Sequence, residues 1–421
     1  MKSNGDIESL RRYISAEEAK VAATPRQLPF STKEYDDRRR RLQSLMLDED
    51  VEVIVATSPA TICWLTGYAM RWYGSGSSTK LPPVRCLVLH AEHEQPFLID
   101  RASYEGLARL TSCVADFRGL PQPDPNQEPT AREFTDFLVS CLEREGWLGG
   151  TVGLELYSWV PSPAVAEVMV DRLRAKSAAV IDATRLARRA RQIKSAAELE
   201  KIERAQECCD AGLRALQLGA RPTMSGLEAW QVYMEGVVAA GGEPSAMDET
   251  IFAGPMAPTG ALLNSHAPLS GYGYFLADVA ASVDRYHSRL TRPYSFGPAP
   301  AELVRLTEIA AGALEVVRTE GGAGSQFATL KRALRDYYSD AGFAAGEYYA
   351  GGYELGLSFA PDWMGELYWA SEDPDDDSTI PAGLVTHFES ITFAPIVDTV
   401  VFEAGGARTL SRLPEQILIV G

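Results

Sequence analysis

Three acidic residues on predicted strands and one histidine in a predicted loop are the residues of this sequence best suited to chemistry. Asp278 lies in the apolar run "YFLADVAAS", Glu389 in "PAGLVTHFESITF", and Glu415 at the head of "LPEQILIVG". His266 lies in the loop segment "LLNSHAPLS". Carboxylates act as general bases or covalent nucleophiles, and histidine transfers protons near neutral pH. Each acid taken singly could end a strand, but together these distant residues indicate an active site.

Asp278 and His266 each admit two interpretations. An acid in an apolar strand is costly unless it is paired, so Asp278 is either a buried partner of Arg292 or Arg285 or a catalytic or ligand carboxylate. A loop histidine is more often a surface residue than a catalyst. The chain has five histidines, however, so a general base has few candidates.

Further polar and aromatic residues lie on strands or in a glycine-rich stretch. Alternation along a strand places His287 on the same face as Arg285 and Arg289, and His387 also lies on a predicted strand. The stretch "AGGYELGLSFAPDWMGE" permits close backbone approach or forms an ordinary hairpin. We assign Tyr353 and Trp363, which it contains, to substrate binding or to structure.

The elements that must position these residues differ between the two halves of the chain. Residues 51–59 predict a strand, a hairpin follows around residues 90–94, and strands then alternate with helices, which is typical of an α/β domain. The second half predicts an α+β domain with the strands 273–283, 285–294, 383–395 and 415–420 and the helices 224–240, 301–319 and 325–341.

A domain boundary is predicted near residue 190. A chain of 421 residues exceeds what one hydrophobic core usually serves. A long helix follows the boundary, with Ser195 as its N-cap, Glu198 completing a capping box and Gly219 at its end. We therefore divide the chain into an N-terminal arm (1–32), an α/β domain (33–190) and an α+β domain (191–421).

Composition excludes several classes of partner. The net charge of −17 argues against nucleic acid and anionic membranes, because both require a basic face. We recognise no signal peptide and no run of 18 apolar residues. The six cysteines form no CxxC pair, so we expect reduced thiols and a cytoplasmic protein. A small cationic or zwitterionic substrate remains compatible with this charge.

The sequence resembles the creatinase/aminopeptidase ("pita-bread") family from about residue 33 onward. "EYDDRRRRLQSLMLDEDVEVIVATSPATICWLTGY" resembles the opening of the two-domain members, and "RRARQIKSAAELEKIERAQECCDAGL" resembles the start of their catalytic domain. The resemblance implies a creatinase-like α/β N-terminal domain and a pita-bread α+β catalytic domain. It also implies a homodimer in which one subunit closes the site of the other. Trp72 and Tyr73 in "GYAMRWYGSGSS" would then pack on a flat cationic group, or belong to an ordinary surface loop.

Metal-binding members of the family carry two aspartates, a histidine and two glutamates as ligands. The first aspartate corresponds to Asp278, and the glutamates correspond to Glu389 and Glu415. Arg289 takes the place of the second aspartate, and Tyr353 that of the histidine. Because an arginine opposes a divalent ion, we predict no metal and no other cofactor.

Three stretches resemble the metal-free ectoine hydrolase and creatinase branch: "DRYHSRLTRPYSFG", "GGYELGLSFAPDWMGE" and "GLVTHFE". Asp278 stands where that branch has a glutamate, and Arg289 where it has a proline. The resemblance implies metal-independent hydrolysis of a small non-peptide C–N bond in an amidine, guanidine or amide. Asp278 would act as base or nucleophile, and His266 would shuttle a proton to the leaving nitrogen. Glu389 and Glu415 would bind the cationic nitrogens of the substrate.

The roles of the remaining residues and of the whole chain stay open at this point. Arg289 pairs either with a substrate carboxylate or with Asp278 in a structural salt bridge. His287, His387, Tyr353 and Trp363 are candidate substrate-binding residues. The alternative functions are a metal-dependent Xaa-Pro peptidase, a non-catalytic binding or chaperone-like protein, and a lyase or other C–N biosynthetic enzyme.

Overall fold

The computed structural model describes residues 4–68, 85–122, 129–176, 178–247, 250–254, 266–361, 363–375 and 377–420. The chain splits into two compact units, Met1–Ala190 and Arg191–Gly421. The N-terminal arm contains a largely exposed helix, α1 (Asn4–Ala23). The rest of the first unit is the predicted α/β domain, and the second unit is the predicted α+β domain.

A six-stranded sheet runs through the described part of the first unit, in the order β4-β3-β2-β1-β5-β6. The hairpin predicted around residues 90–94 is confirmed, since β2 and β3 pair antiparallel. Side chains of the sheet and of α5 and α6 form the buried core, among them Val55, Ile99, Phe134 and Met169. The elements are α2 (Thr32–Asp48), β1 (Val53–Ala56), α3 (Pro59–Thr66), β2 (Cys86–His90), β3 (Phe97–Arg101), α4 (Glu105–Thr111), β4 (Asp116–Leu120), α5 (Ala131–Glu145), β5 (Thr151–Leu154), α6 (Pro163–Arg174), β6 (Ala179–Asp182) and α7 (Thr184–Ala190).

The second unit opens with two helices that pack on a larger sheet. The capping box of α8 is present, because the Ser195 hydroxyl accepts the Glu198 amide at 3.2 Å and the Glu198 carboxylate accepts the Ser195 amide at 2.9 Å. The described residues form a sheet in the order β11-β10-β12-β13-β9-β8-β7, with β14 beside β13 and β15 beside β9. The elements are α8 (Ala196–Gly219), α9 (Gly226–Ala239), β7 (Thr250–Ala253), β8 (Tyr274–Val283), β9 (Tyr286–Ser295), α10 (Ala301–Glu320), α11 (Phe327–Asp340), β10 (Tyr349–Tyr353), β11 (Tyr368–Ala370), β12 (Val385–Ile391), β13 (Ile396–Glu403), β14 (Gly406–Thr409) and β15 (Leu418–Ile419).

Two core clusters hold the helices of the second unit against this sheet. One joins α8 and α9 to β8 and β9, and it includes Leu213, Tyr233, Phe275 and Leu290. The other joins α10 and α11 to β12 and β13, and it includes Leu314, Leu334, Phe388 and Val400. The helices therefore fix the strands that carry the polar residues discussed below.

The strands near the C-terminus differ from the prediction. The predicted strand 383–395 is shorter, ending at Ile391, and β13 was not predicted as a separate strand. Pro395 lies in the turn between β12 and β13, where its missing amide ends ladder pairing. The predicted strand 415–420 is reduced to Leu418–Ile419, so Glu415 precedes it rather than heading it.

Candidate active site

Strand register brings Asp278 and Glu389 to one face of the larger sheet. Asp278 lies opposite Thr291, and Thr291 lies opposite Val397. Val397 in turn lies opposite Glu389. Because directly paired residues of antiparallel strands project to the same face, this row carries two acids at its ends. Arg289 comes two residues before Thr291 and shares that face.

Arg289 is the centre of the cluster. Its Nε lies 3.2 Å from Asp278 Oδ1, and its Nη2 lies 3.1 Å from Oδ1 and 3.0 Å from Oδ2. Its Nη1 donates to the Tyr353 hydroxyl at 2.9 Å and to the Glu389 carboxylate. Burial opposes the charge of Arg289, yet the carboxylates of Asp278 and Glu389 raise its pKa above the ordinary value. The guanidinium is thus a fixed cation that bridges two acids.

His387 and Glu389 form a second contact in the cluster. His387 Nε2 lies 2.7 Å from Glu389 Oε1, and His387 Nδ1 accepts the backbone amide of Tyr353 at 3.2 Å. This arrangement assigns the proton to Nε2. Burial lowers the pKa of His387, so the ring stays neutral. Burial alone would raise the pKa of Glu389, but Arg289 and His387 lower it to about 2.

Aromatic side chains border the cluster. The Trp363 ring centroid lies 5.3 Å from Arg289 Cζ, and the Tyr353 ring lies 3.7 Å from the His387 ring. The Trp363 ring centroid lies 6.4 Å from that of Tyr353, and burial raises the pKa of the Tyr353 phenol. A Cβ on Gly352 would lie 1.9 Å from the His387 carbonyl oxygen, so only glycine permits this approach of β10 to β12.

His287 joins two loops beside the cluster. Its Nε2 accepts the Ala246 amide at 2.9 Å, and its Nδ1 lies 3.3 Å from the Gly356 carbonyl oxygen. The ring therefore carries its proton on Nδ1. Burial lowers the pKa of His287 to about 4. Its ring lies 6.5 Å from the Trp363 ring, so His287 supports the wall of the site as a neutral group.

The prediction that Glu415 shares a site with Asp278 is not met by the geometry. Glu415 pairs with Arg318. Its neighbour Pro414 accepts Arg292 Nε at 3.1 Å, and Arg292 pairs with Asp398 at 2.8 Å. Arg292 follows Thr291 and Asp398 follows Val397, so both project from the opposite face of the sheet. Glu415 is held on that opposite side, and Arg292 is not the partner of Asp278.

The other predicted partners of the site are placed as follows. Arg285 lies over the Phe359 ring, 5.6 Å from its centroid, and not against Asp278. His266 is exposed, and no contact among the described residues joins it to Asp278 or to Glu389. Trp72 and Tyr73 lie outside the described residues.

Two threonines of the cluster were not predicted from the sequence. The Thr291 hydroxyl donates to Asp278 Oδ1 at 2.8 Å. The Thr399 hydroxyl accepts the Arg289 amide at 2.9 Å and donates to the Arg289 carbonyl at 3.0 Å. The alternation that places Arg289 on this face also indicates Thr291, whereas Thr399 belongs to the unpredicted strand β13.

The residues of the cluster do not fit a divalent metal. Arg289 engages both acids, and His387 uses both ring nitrogens within the cluster. Val397, an aliphatic residue, lies in the row between Thr291 and Glu389. Among the described residues, no group of three or more metal-ligating side chains is close enough to hold an ion. A cation placed here would have to displace a guanidinium that is already paired.

The comparisons with known proteins cover both units. Residues 38–193 match the creatinase/prolidase N-terminal domain, and residues 200–409 match metallopeptidase family M24. Ectoine hydrolase from Halomonas elongata is 27% identical, over 93% of this chain and 98% of that protein. An uncharacterized hydrolase/peptidase from Sinorhizobium fredii is 24% identical, over 93% of this chain and 99% of that protein.

Solved structures share the fold at lower identity. A dipeptidase from Pyrococcus horikoshii has a TM-score of 0.74 at 17% identity, covering 91% of this chain and 100% of that chain. An X-Pro aminopeptidase from Thermotoga maritima has a TM-score of 0.70 at 18% identity, covering 91% and 99%.

The fold and the two matched domains define a two-domain pita-bread hydrolase, an enzyme that acts on C–N bonds. The chain belongs to the creatinase/aminopeptidase family, as the sequence predicted. None of the described helices is long and apolar enough to cross a membrane.

Proposed function

We propose that this protein hydrolyses a small, non-peptide C–N bond without a metal ion. The substrate is a cationic or zwitterionic cyclic amidine, guanidine or amide. The observation that carries the proposal is the Arg289 guanidinium, which bridges Asp278 and Glu389. A cation that belongs to the chain supplies the positive charge between these acids. The carbon of an amidinium is already electrophilic, so water can attack it without a Lewis acid.

The charge of the cluster supports a cationic substrate group. Asp278 and Glu389 contribute two negative charges, Arg289 contributes one positive charge, and His387 is neutral. One negative charge therefore remains unbalanced. Glu389 Oε2 accepts no hydrogen bond from the described residues, whereas Oε1 receives His387 and Arg289. This oxygen can accept an N–H of the substrate, and a pKa of about 2 keeps it ionised.

The hydrolytic step is assigned to Asp278. As base, Asp278 takes a proton from water while the water oxygen bonds to the substrate carbon; as nucleophile, its carboxylate forms that bond first, and once the C–N bond has broken, water hydrolyses the covalent intermediate and frees the carboxylate. The C–N bond then breaks and the nitrogen takes up a proton. Tyr353 is the phenol of the described cluster, and its raised pKa keeps the O–H proton in place until transfer. This assignment replaces the predicted proton shuttle through His266.

The ectoine hydrolase of H. elongata, whose name states its substrate, supports the reaction class but not the substrate itself. Arg289 adds a positive charge to the cluster. This charge distinguishes the site from that of the ectoine hydrolase branch, which has a proline at this position. We further propose a cytoplasmic homodimer. Size-exclusion chromatography with light scattering tests the dimer.

Metal analysis combined with hydrolysis assays tests the proposal. Protein purified without chelator would be analysed by mass spectrometry for manganese, zinc and cobalt. Turnover of ectoine, creatine, acetamidine and an Xaa-Pro dipeptide would be measured with and without EDTA. We expect sub-stoichiometric metal and EDTA-resistant release of an amine from an amidine or guanidine. One or two bound metals with EDTA-sensitive dipeptide cleavage would instead establish the metallopeptidase alternative.

A further inference from the structure

A buried ion pair lies next to the aromatic residues of the site, since Glu354 follows Tyr353 in the chain. Lys194 Nζ lies 2.5 Å from Glu354 Oε1, and the two side chains are 2% and 4% exposed. Lys194 also donates to the carbonyl oxygens of Arg191 at 3.0 Å and Gln192 at 2.8 Å. The hydrolytic step described above does not use this pair. A buried ion pair adds little stability over an apolar pair, so the contacts that this pair makes with the surrounding loop are its main structural effect.

The other oxygen of Glu354 fixes the loop that follows Trp363. Glu354 Oε2 accepts the amides of Glu366 at 3.0 Å and Leu367 at 3.4 Å. The Glu354 backbone also donates to the Leu367 carbonyl at 2.8 Å and accepts the Gly365 amide at 2.9 Å. The Glu354 carboxylate therefore holds residues 366 and 367 through charge-assisted hydrogen bonds, and the Glu354 backbone holds Gly365 and Leu367.

Two glycines leave room for this arrangement. A Cβ on Gly365 would lie 2.3 Å from Glu354 Cδ, and a Cβ on Gly356 would lie 2.9 Å from Lys194 Cε. The loop thus closes tightly on the carboxylate. Such close contact restricts the loop to one position.

Trp363 transmits this restriction to the cluster. It precedes Gly365 by two residues, its ring lies 5.3 Å from Arg289 Cζ, and its ring centroid lies 6.4 Å from that of Tyr353. Tyr353 itself is the residue before Glu354 and contacts Arg289 Nη1 at 2.9 Å. Tyr353 is thus the chain neighbour of Glu354, and Trp363 lies two residues before the loop segment that Glu354 holds.

We propose that Glu354, held by Lys194, is a positioning residue that sets the place of Trp363 and so selects flat cations. This inference rests on the proposed function, because it assumes that the cluster binds a cation. A planar amidinium can lie against the Trp363 ring, whereas a tetrahedral ammonium gains less from the same surface. Glu354 then determines affinity and selectivity without touching the substrate.

The test measures binding of acetamidine and methylamine, both as cations at pH 7, by tryptophan fluorescence. Each variant is made with and without Trp363→Phe, and the difference isolates the signal of Trp363. We expect Glu354→Gln to weaken acetamidine binding about tenfold and methylamine binding less than about threefold. We also expect acrylamide to quench the Trp363 signal about twice as strongly, because the indole loses its fixed position.

A second variant and a control separate positioning from loss of folding. Gly365→Ala keeps every charge but presses on the Glu354 carboxylate, so it should change selectivity in the same direction. Asp398→Asn weakens a comparably buried pair with Arg292 on the opposite face and should leave the Trp363 signal unchanged. Unchanged acetamidine selectivity in folded Glu354→Gln and Gly365→Ala would overturn the inference. Failure of the parent protein to bind either cation would overturn the proposed function instead.

Discussion

Arg289 distributes its hydrogen bonds among Asp278, Glu389 and Tyr353, so three strands of the sheet meet at one side chain. A lysine would offer a single point charge and could not reproduce the planar fork that serves both acids. The side chain is also only 10% exposed, so its charge is compensated by protein groups rather than by water. Removing it leaves two carboxylates with no cation between them.

Arg289→Met is therefore expected to destabilise the second unit by about 3–5 kcal/mol at pH 7, because buried acids lose their partner. Urea unfolding monitored by circular dichroism measures the change. The loss should shrink at pH 4, because Glu389, whose pKa of about 2 depends on Arg289, can take up a proton in the variant. Arg412→Met removes an arginine whose side chain is 78% exposed and should cost less than about 1 kcal/mol. Equal midpoints for the two variants would contradict the assigned role.

His287 gives the second unit a defined pH dependence. Its folded pKa of about 4 lies below the ordinary value of 6.5, so the unfolded chain binds the proton first as the pH falls. Its contribution to stability is complete above pH 6.5 and is lost as the pH falls to about 4. The loss amounts to about 3 kcal/mol. Unfolding free energies of the parent and of His287→Gln, measured from pH 4 to 7, should differ in slope; parallel curves would contradict this.

Residue chemistry alone predicted part of the cluster. Asp278 and Glu389 are acids in apolar strands, and such acids require a partner, which indicates a buried site. Glu415 met the same criterion but lies on the other face, because its position depends on a short strand whose start the sequence did not reveal. The sequence left Arg285, Arg289 and Arg292 as possible partners of Asp278, and only the register of β8 and β9 selects Arg289.

At the scale of elements, the approach of β10 to β12 decides where Tyr353 and His387 meet. Gly351 lies opposite Glu389, and Gly352 follows it against the His387 carbonyl. The glycines were recognised in the sequence as permitting either close approach or a hairpin. Both are present, since β10 and β11 pair antiparallel as a hairpin and Gly352 approaches the His387 carbonyl of β12.

Gly352→Ala is expected to destabilise the second unit by about 1–3 kcal/mol, because its Cβ would force the two strands apart. The same shift should move Tyr353 and reduce turnover more than tenfold. Gly271→Ala provides the comparison, since no heavy atom lies within 4 Å of a Cβ built there. It should change stability by less than about 1 kcal/mol. Thermal unfolding and amidine turnover distinguish the two variants, and similar behaviour would refute the steric argument.

Helices and long strands were predicted better than short strands. The helix from Ala196 to Gly219 has a capping box and a sustained apolar pattern, and these two local signals were sufficient to predict it. The two-residue strand β15 depends on β9, a partner far along the chain, which no local pattern specifies. The sequence therefore predicted which types of residue belong to the site but not the face of the sheet on which they lie.

At the scale of the whole molecule, the two compact units have separate hydrophobic cores. Each core can unfold on its own, so scanning calorimetry should resolve two transitions. Arg289→Met should lower only one of them, and acetamidine should raise that same one through linkage. A single transition that shifts as a whole in both experiments would show that the units unfold together.

Under the proposed function, the enzyme does not depend on the metal supply of the cell, because the cation of the site is the Arg289 side chain. The positive charge between Asp278 and Glu389 is part of the polypeptide, so every molecule carries one. No metallochaperone is needed, no mismetallation by a competing ion can occur at Arg289, and starvation for manganese or zinc leaves every molecule competent. Freshly refolded protein should be active once it has folded and dimerised, without a metal-loading step.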